Sequence, residues 1–248
     1  MRKAVKTGWV IISLILVAVL IIFYIYNKYR VETNDLIDDE KFHLRTISDY
    51  KIQQIASWRR ERIADANTLT SNLNFIRSID HLVSDPSNIS EAQFIRSRCE
   101  AYVNFKDYQL VLLMDLDGNK IVEYPTATEQ LSPEVIDNAK KSLSGTQSIM
   151  GDFIYCSYHQ EPHLDVYIPI FRNYSARSNP IAIMLFRTKS YEFFNNNIIV
   201  FPILTETGES YIVKVVSDSI RFLTNTRFDK NAALRRIVPA KRKNILKL

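Results

Sequence analysis

Between His163 and Phe171 (HLDVYIPIF), His163, Asp165 and Tyr167 alternate with Leu164, Val166 and Ile168. A period of two is that of a β-strand, so one face carries an imidazole, a carboxylate and a phenol while the other is apolar. That set suits a small polar ligand: Asp165 accepts from an ammonium, and His163 and Tyr167 donate to a carboxylate or hydroxyl. A strand with one face in water has the same pattern, and sequence alone leaves both readings open. Tyr124, Tyr155 and Arg187 lie on neighbouring predicted strands and would complete a pocket. Catalysis has no comparable support. No GxSxG, HExxH, GxGxxG or GxxxxGK(S/T) pattern occurs, and no nucleophile stands close in sequence to a base. His81 and His159 are remote from other ligand-type side chains, so no metal site and no cofactor is expected. Asp115, Asp117 and Asn119 open like a calcium loop, but Gly118 falls too early and the twelfth place lacks glutamate, so a hairpin turn is expected.

The elements that would position these residues follow from periodicity. Tyr108 to Asp115 and Lys120 to Tyr124 flank a turn-forming LDGN, and strand-like runs follow at Asp152 to Tyr158, His163 to Phe171 and Ile181 to Arg187. Ser132 to Leu143 has helical spacing, with Pro133 in its first turn and Gly145 just past its end. Before the strands, Asn34 to Val83 contains neither proline nor glycine, and its apolar residues recur at near-helical spacing, as one long helix or two in series. Ser84 to Ser90 interrupts it, and Ser90 with Gln93 reads as a capping box opening a helix from Glu91 to Asn104. Ser210 to Val216 and Ile220 to Thr224 resemble the first hairpin of another sheet. The fold class expected is α+β, a five-stranded antiparallel sheet preceded by a long helix.

Trp9 to Tyr26 (WVIISLILVAVLIIFYIY) is an unbroken apolar run that covers most of a hydrocarbon core about 30 Å thick, and it reads as a transmembrane helix. No small-x-small cleavage site follows it, which favours an uncleaved anchor over a signal peptide. Arg2, Lys3 and Lys6 precede the run, whereas Glu32, Asp35, Asp38, Asp39 and Glu40 soon offset Lys28 and Arg30; this bias leaves the N-terminus cytoplasmic and the remainder outside. The formal charge of +5 owes much to the two ends of the chain, and nucleic-acid binding is not expected. Cys99 and Cys156 belong to no CxxC or metal-ligand pattern and stand either as two buried thiols or as one bridge. The organisation expected is an anchor over 1–30, a long helix with a sheet domain over 31–190, and a partial second lobe with a basic tail over 191–248.

Several of these segments together carry a resemblance. The N-terminal anchor, the helix KIQQIASWRRERIADANTL, the hairpin VLLMDLDGNKIVEY, the strand HLDVYIPIF and the stretch TETGESYIVKVVSDSIRFLTN resemble the extracytoplasmic double Cache (PAS-like) sensor region of bacterial membrane sensor histidine kinases, as far as about Phe228. The resemblance implies a PAS-like membrane-distal lobe on a long helix, a smaller membrane-proximal lobe, and a ligand of the amino-acid, carboxylate or amine class held between the distal sheet and its covering loops. By position it places Tyr124, Tyr155, His163, Asp165, Tyr167 and Arg187 on or near that sheet. The chain departs from the pattern in ending within the proximal lobe, without a second crossing or a transmitter. It therefore implies no enzyme but a sensor input domain in the bacterial inner membrane, single-pass, with a homodimer formed through the long helix. The alternative is a ligand-independent membrane-anchored dimerisation scaffold or a truncated receptor relic.

Overall fold

The computed structural model describes residues 2–126, 130–145, 147–156, 160–172, 179–201 and 208–240. The chain divides into two compact units, one ending at Ile52 and the other beginning at Gln53. The first consists of the N-terminal part of helix α1, which runs from Arg2 to Thr70 without interruption. Its apolar side chains between Leu14 and Tyr26 are exposed, and this is a helix near the N-terminus long and apolar enough to cross a membrane.

In the second unit, α1 stops at Thr70 and α2 (Leu73–Ser84) begins. The expected long helical stretch is thus two helices in series, and the break has a local cause. The Asn72 side chain accepts from the backbone N–H groups of Asn74 and Phe75, capping α2. Helix α3 (Ile89–Phe105) begins two residues earlier than expected because Asn88, not Ser90, is its cap; Asn88 accepts from the Glu91 N–H at 3.2 Å. Strands β1 (Tyr108–Met114) and β2 (Lys120–Tyr124) form the expected hairpin. Asp115 closes it by accepting from the backbone N–H of Asp117 and Asn119 and from the Asn119 amide. Gly118 sits at φ +90°, where a Cβ would also approach Ile136 Cγ2 to 2.8 Å, so glycine is required there. Ser132 caps α4 (Pro133–Ser142), with Pro133 in the first turn.

The remaining strands of the large sheet are β3 (Ile149–Met150), β4 (Ile154–Cys156), β5 (Glu161–Phe171) and β6 (Pro180–Thr188). The order is β2-β1-β6-β5-β3, with β4 also pairing β5, and every pairing is antiparallel. All five expected strand runs are present, and the two-residue β3 is added. On one face, Val111, Leu113, Val166, Ile168, Met184 and Phe186 pack with residues of α1, α2 and α3, among them Ala66, Phe75, Ile79 and Ile95. On the other, Leu112, Met114, Ile183 and Leu185 pack with Val135 and Ala139 of α4 and with Ile154. Both cysteines are buried and unbridged.

Three hydrogen bonds clasp α1 to α3 and β1. The Tyr102 hydroxyl donates to the Asp65 carbonyl at 3.0 Å, the Tyr108 hydroxyl donates to the Arg62 carbonyl at 2.9 Å, and the Arg62 guanidinium donates to the Lys106 carbonyl at 2.6 Å. The two hydroxyls use carbonyls in the last turns of α1 as additional acceptors. After β6 come helix α5 (Ser190–Phe193), a π-helical turn (Phe194–Ile199), and a three-stranded sheet of β7 (Val213–Val216), β8 (Ser219–Phe222) and β9 (Ile237–Pro239).

Candidate functional site

Strands β5 and β6 pair so that Asp165 stands opposite Arg187 and Tyr167 opposite Leu185. Alternation then puts His163, Asp165, Tyr167 and Arg187 on the face that α4 covers. Residues Pro162 to Ile170 of β5 are all buried, so this face does not meet water. The reason is strand order: β5 lies inside the sheet, between β6 on one side and β3 and β4 on the other, with α1 to α3 packed on one face and α4 on the other. The solvent-facing reading of HLDVYIPIF is thereby excluded.

The four side chains meet. Arg187 grips Asp165 side-on, Nε to Oδ1 at 3.2 Å and Nη2 to Oδ2 at 3.3 Å. His163 Nδ1 lies 3.1 Å from Asp165 Oδ1, an ion-pair distance without hydrogen-bond alignment, and the Tyr167 hydroxyl donates to Oδ2 at 3.5 Å. Asp165 and Arg187 are each 1% exposed, which makes this a fully desolvated pair. Burial alone would raise the Asp165 carboxyl, but Arg187 and then His163 outweigh it and hold the group below the ordinary carboxylate value. Burial first, and then the Asp165 charge, pushes the Tyr167 phenol upward. The aspartate is therefore an anion and the tyrosine a neutral donor.

Two neighbours complete the surroundings. The Gly151 N–H donates to the Asp165 carbonyl at 2.9 Å, and a Cβ on Gly151 would stand 3.0 Å from Tyr167 Cε2 and 3.7 Å from the Asn138 amide nitrogen. Sequence reasoning missed both Asn138 and Gly151. A signal for the first existed: Asn138 is an amide that falls on the stripe of small and apolar residues Val135, Ala139 and Ser142 of α4.

Tyr124 and Tyr155 do not join this cluster. The register that pairs Val111 with Tyr124 puts Tyr124 on the opposite, helix-covered face, where its ring lies 5.4 Å from the Arg96 guanidinium. In β4, Ile154 turns into the core, so the next residue, Tyr155, turns out. Its hydroxyl accepts from Arg235 at 2.6 Å, and the Arg235 guanidinium lies 4.9 Å over its ring. His159 and the first residues of the Thr205–Thr224 stretch lie outside the described residues. Among the described residues no group of histidine, cysteine, aspartate and glutamate has the arrangement of a metal site.

No protein-family profile and no curated protein matches the chain by sequence. Its structure does match solved ones. The ligand-binding domain of the Pseudomonas fluorescens chemoreceptor CtaA, in complex with L-serine, superposes on 80% of this chain and 76% of its own at TM-score 0.56 and 12% identity. The ligand-binding domain of the Pseudomonas aeruginosa PAO1 amino-acid chemoreceptor PctC, in complex with GABA, superposes on 78% and 76% at TM-score 0.55 and 15% identity. The V. cholerae histidine kinase DctB sensor domain matches over 58% of this chain, which spans about half (54%) of that domain, at TM-score 0.46 and 10% identity. The fold is that of the Cache-type ligand-binding domains of chemoreceptors.

Proposed function

We propose that the chain is a membrane-anchored extracytoplasmic sensor of a small molecule, the input part of a two-component histidine kinase. The N-terminal apolar helix anchors it in a bacterial inner membrane, with the residues after it outside the cytoplasm. Self-pairing of α1 gives a homodimer, and the domain itself is not an enzyme. The observation that carries this reading is the buried Asp165–Arg187 pair, with His163 and Tyr167, in the middle of a Cache-type sheet. A fold that sought only stability would place apolar side chains there, since a buried ion pair contributes little net stability.

Asp165 and Arg187 are also the two halves of a receptor for an amino acid. A ligand ammonium takes the place of the guanidinium on Asp165, and a ligand carboxylate takes the place of Asp165 on Arg187, with Tyr167 donating. Such a ligand splits the pair and moves the α4 cover away from the sheet. The equilibrium shifts only by the difference in its affinity for the closed and the split state. The structures of CtaA with L-serine and PctC with GABA support this choice of ligand class. Because those two matches are chemoreceptor domains, chemotaxis is the second reading for the output.

The test is thermal unfolding of the detergent-solubilised full chain against amino acids, organic acids and amines. A ligand at 100 times its Kd adds about 2.7 kcal/mol. In a domain of this size that raises the melting temperature by about 5–10 °C. A shift that Asp165→Asn abolishes supports the reading. Silence across the panel from a cooperatively unfolding sample refutes it in favour of a ligand-independent scaffold.

A further inference from the structure

A cleft of about 530 Å³ lies away from the sheet face, between α1 and the segment that leaves β6, and neither Asp165 nor Arg187 lines it. Its apolar wall is Trp58, stacked on Phe193 with ring centroids 4.9 Å apart and 12° between planes. Its charged lining comes from three separate stretches: Glu61 and Arg62 of α1, which pair with each other at 2.7 Å, Asp107 just before β1, and Lys189 and Glu192 after β6. Among the described residues Asp107, Lys189 and Glu192 form no ion pair, although charges of both signs line one cavity. Arg62 is 7% exposed, and its Nε has no acceptor, while its other nitrogens reach Glu61 and the Lys106 carbonyl. A buried donor without a partner is costly; the Asp65 carboxylate lies 3.5 Å from Nη2, and its Oδ2 is likewise buried without a hydrogen bond. The π-helical turn Phe194–Ile199 adjoins the same wall, and such turns recur at functional sites.

We propose that this cleft is a second ligand site, which binds a small dipolar ion carrying an ammonium and a carboxylate joined by a short apolar chain. The carboxylates of Asp107 and Glu192 receive the ammonium, Lys189 and the Arg62 side receive the carboxylate, and the chain lies on the Trp58–Phe193 wall. A simple cation would leave Lys189 unanswered, and a simple anion would face two uncompensated carboxylates. The site unites α1 with the segment that leads from the large sheet to the small one, so its occupancy ties those two stretches together.

Trp9 and Trp58 are the protein's two tryptophans, so Trp9→Phe leaves Trp58 as the sole indole reporter. The full-length Trp9→Phe chain in detergent is titrated with the straight-chain ω-amino acids from glycine to 6-aminohexanoate, following Trp58 emission and, in parallel, equilibrium dialysis. The expected result is saturable binding of at least one member. Affinity falls at least about tenfold for the matching alkylamine and the matching alkanoate, and likewise on Glu192→Gln and on Lys189→Met, as for loss of a hydrogen bond to a charged group. The Asp165→Leu, Arg187→Met double variant, which removes the sheet-face pair without leaving a buried charge, retains this binding, which separates it from the sheet-face site. The proposal is overturned by absence of binding in both measurements, by equal affinity for the single-charge analogues, by indifference to Glu192→Gln and Lys189→Met, or by loss of the signal in a cooperatively unfolding Asp165→Leu, Arg187→Met double variant.

Discussion

Removing one partner of the Asp165–Arg187 pair and removing both should have opposite consequences. The pair is bidentate, at 3.2 and 3.3 Å, and both residues are 1% exposed. Asp165→Leu leaves a buried guanidinium without its carboxylate, and Arg187→Met leaves a buried carboxylate without its principal counter-charge. Each should cost about 3–5 kcal/mol. Replacing both by apolar groups of similar volume removes the two desolvation penalties together, so the double variant should lie near the parent or be more stable by about 1–4 kcal/mol. Independent effects would instead sum to about 6–10 kcal/mol. Urea-induced unfolding of the four proteins in detergent at neutral pH measures all three differences. If the double variant shows the sum of the single losses, the pair supplies stability in its own right. The inference that it is kept for ligand exchange then fails.

The pH dependence of stability carries a second test. Asp165 has a lowered pKa in the folded state, so its contribution is fully present above the unfolded carboxylate value of about 3.9. It is lost as pH falls below that value towards the folded pKa, and urea midpoints between pH 7 and pH 3 should fall less in Asp165→Asn than in the parent. At Gly151, alanine would put a methyl 3.0 Å from the Tyr167 ring. We expect Gly151→Ala to destabilise by about 1–3 kcal/mol, as an overpacked site does, and the same unfolding assay would show it; an unchanged midpoint would mean that the ring yields freely. Burial pushes the Cys99 thiol up to about 12, so it should resist iodoacetamide at pH 8 in the native protein and react once urea unfolds it. Peptide mapping of the alkylated chain reads the difference, and native-state labelling at Cys99 would contradict the packing described.

Features written in short-range chemistry were legible in the sequence. The β1–β2 turn needs only Asp115, Gly118 and Asn119, and α4 only Ser132, Pro133 and the stripe beginning at Val135. Caps were harder, because Asn88 and Ser90 are both competent and only the chain's entry geometry selects between them. The break at Asn72 carries no glycine or proline and left no mark on the apolar periodicity. Of the six proposed site residues, the three on HLDVYIPIF were placed on one face by alternation within a single strand, which is a local property. Whether Tyr124, Tyr155 and Arg187 share that face depends on the register between separate strands, and there only Arg187 was placed with them. The burial of that face, too, follows from a strand order that periodicity does not encode.

The clasp of Tyr102, Tyr108 and Arg62 on α1 acts as a detent. Its bonds are 3.0, 2.9 and 2.6 Å long, and hydrogen bonds of these kinds ordinarily span no more than about 3.0–3.2 Å. A slide of α1 by a single residue is about 1.5 Å, so no intermediate position keeps all three. A displacement of α1 would therefore have to break these bonds together rather than stretch them one by one. Any signal read through it should arrive as a change in how often they break, not in how far the helix has travelled.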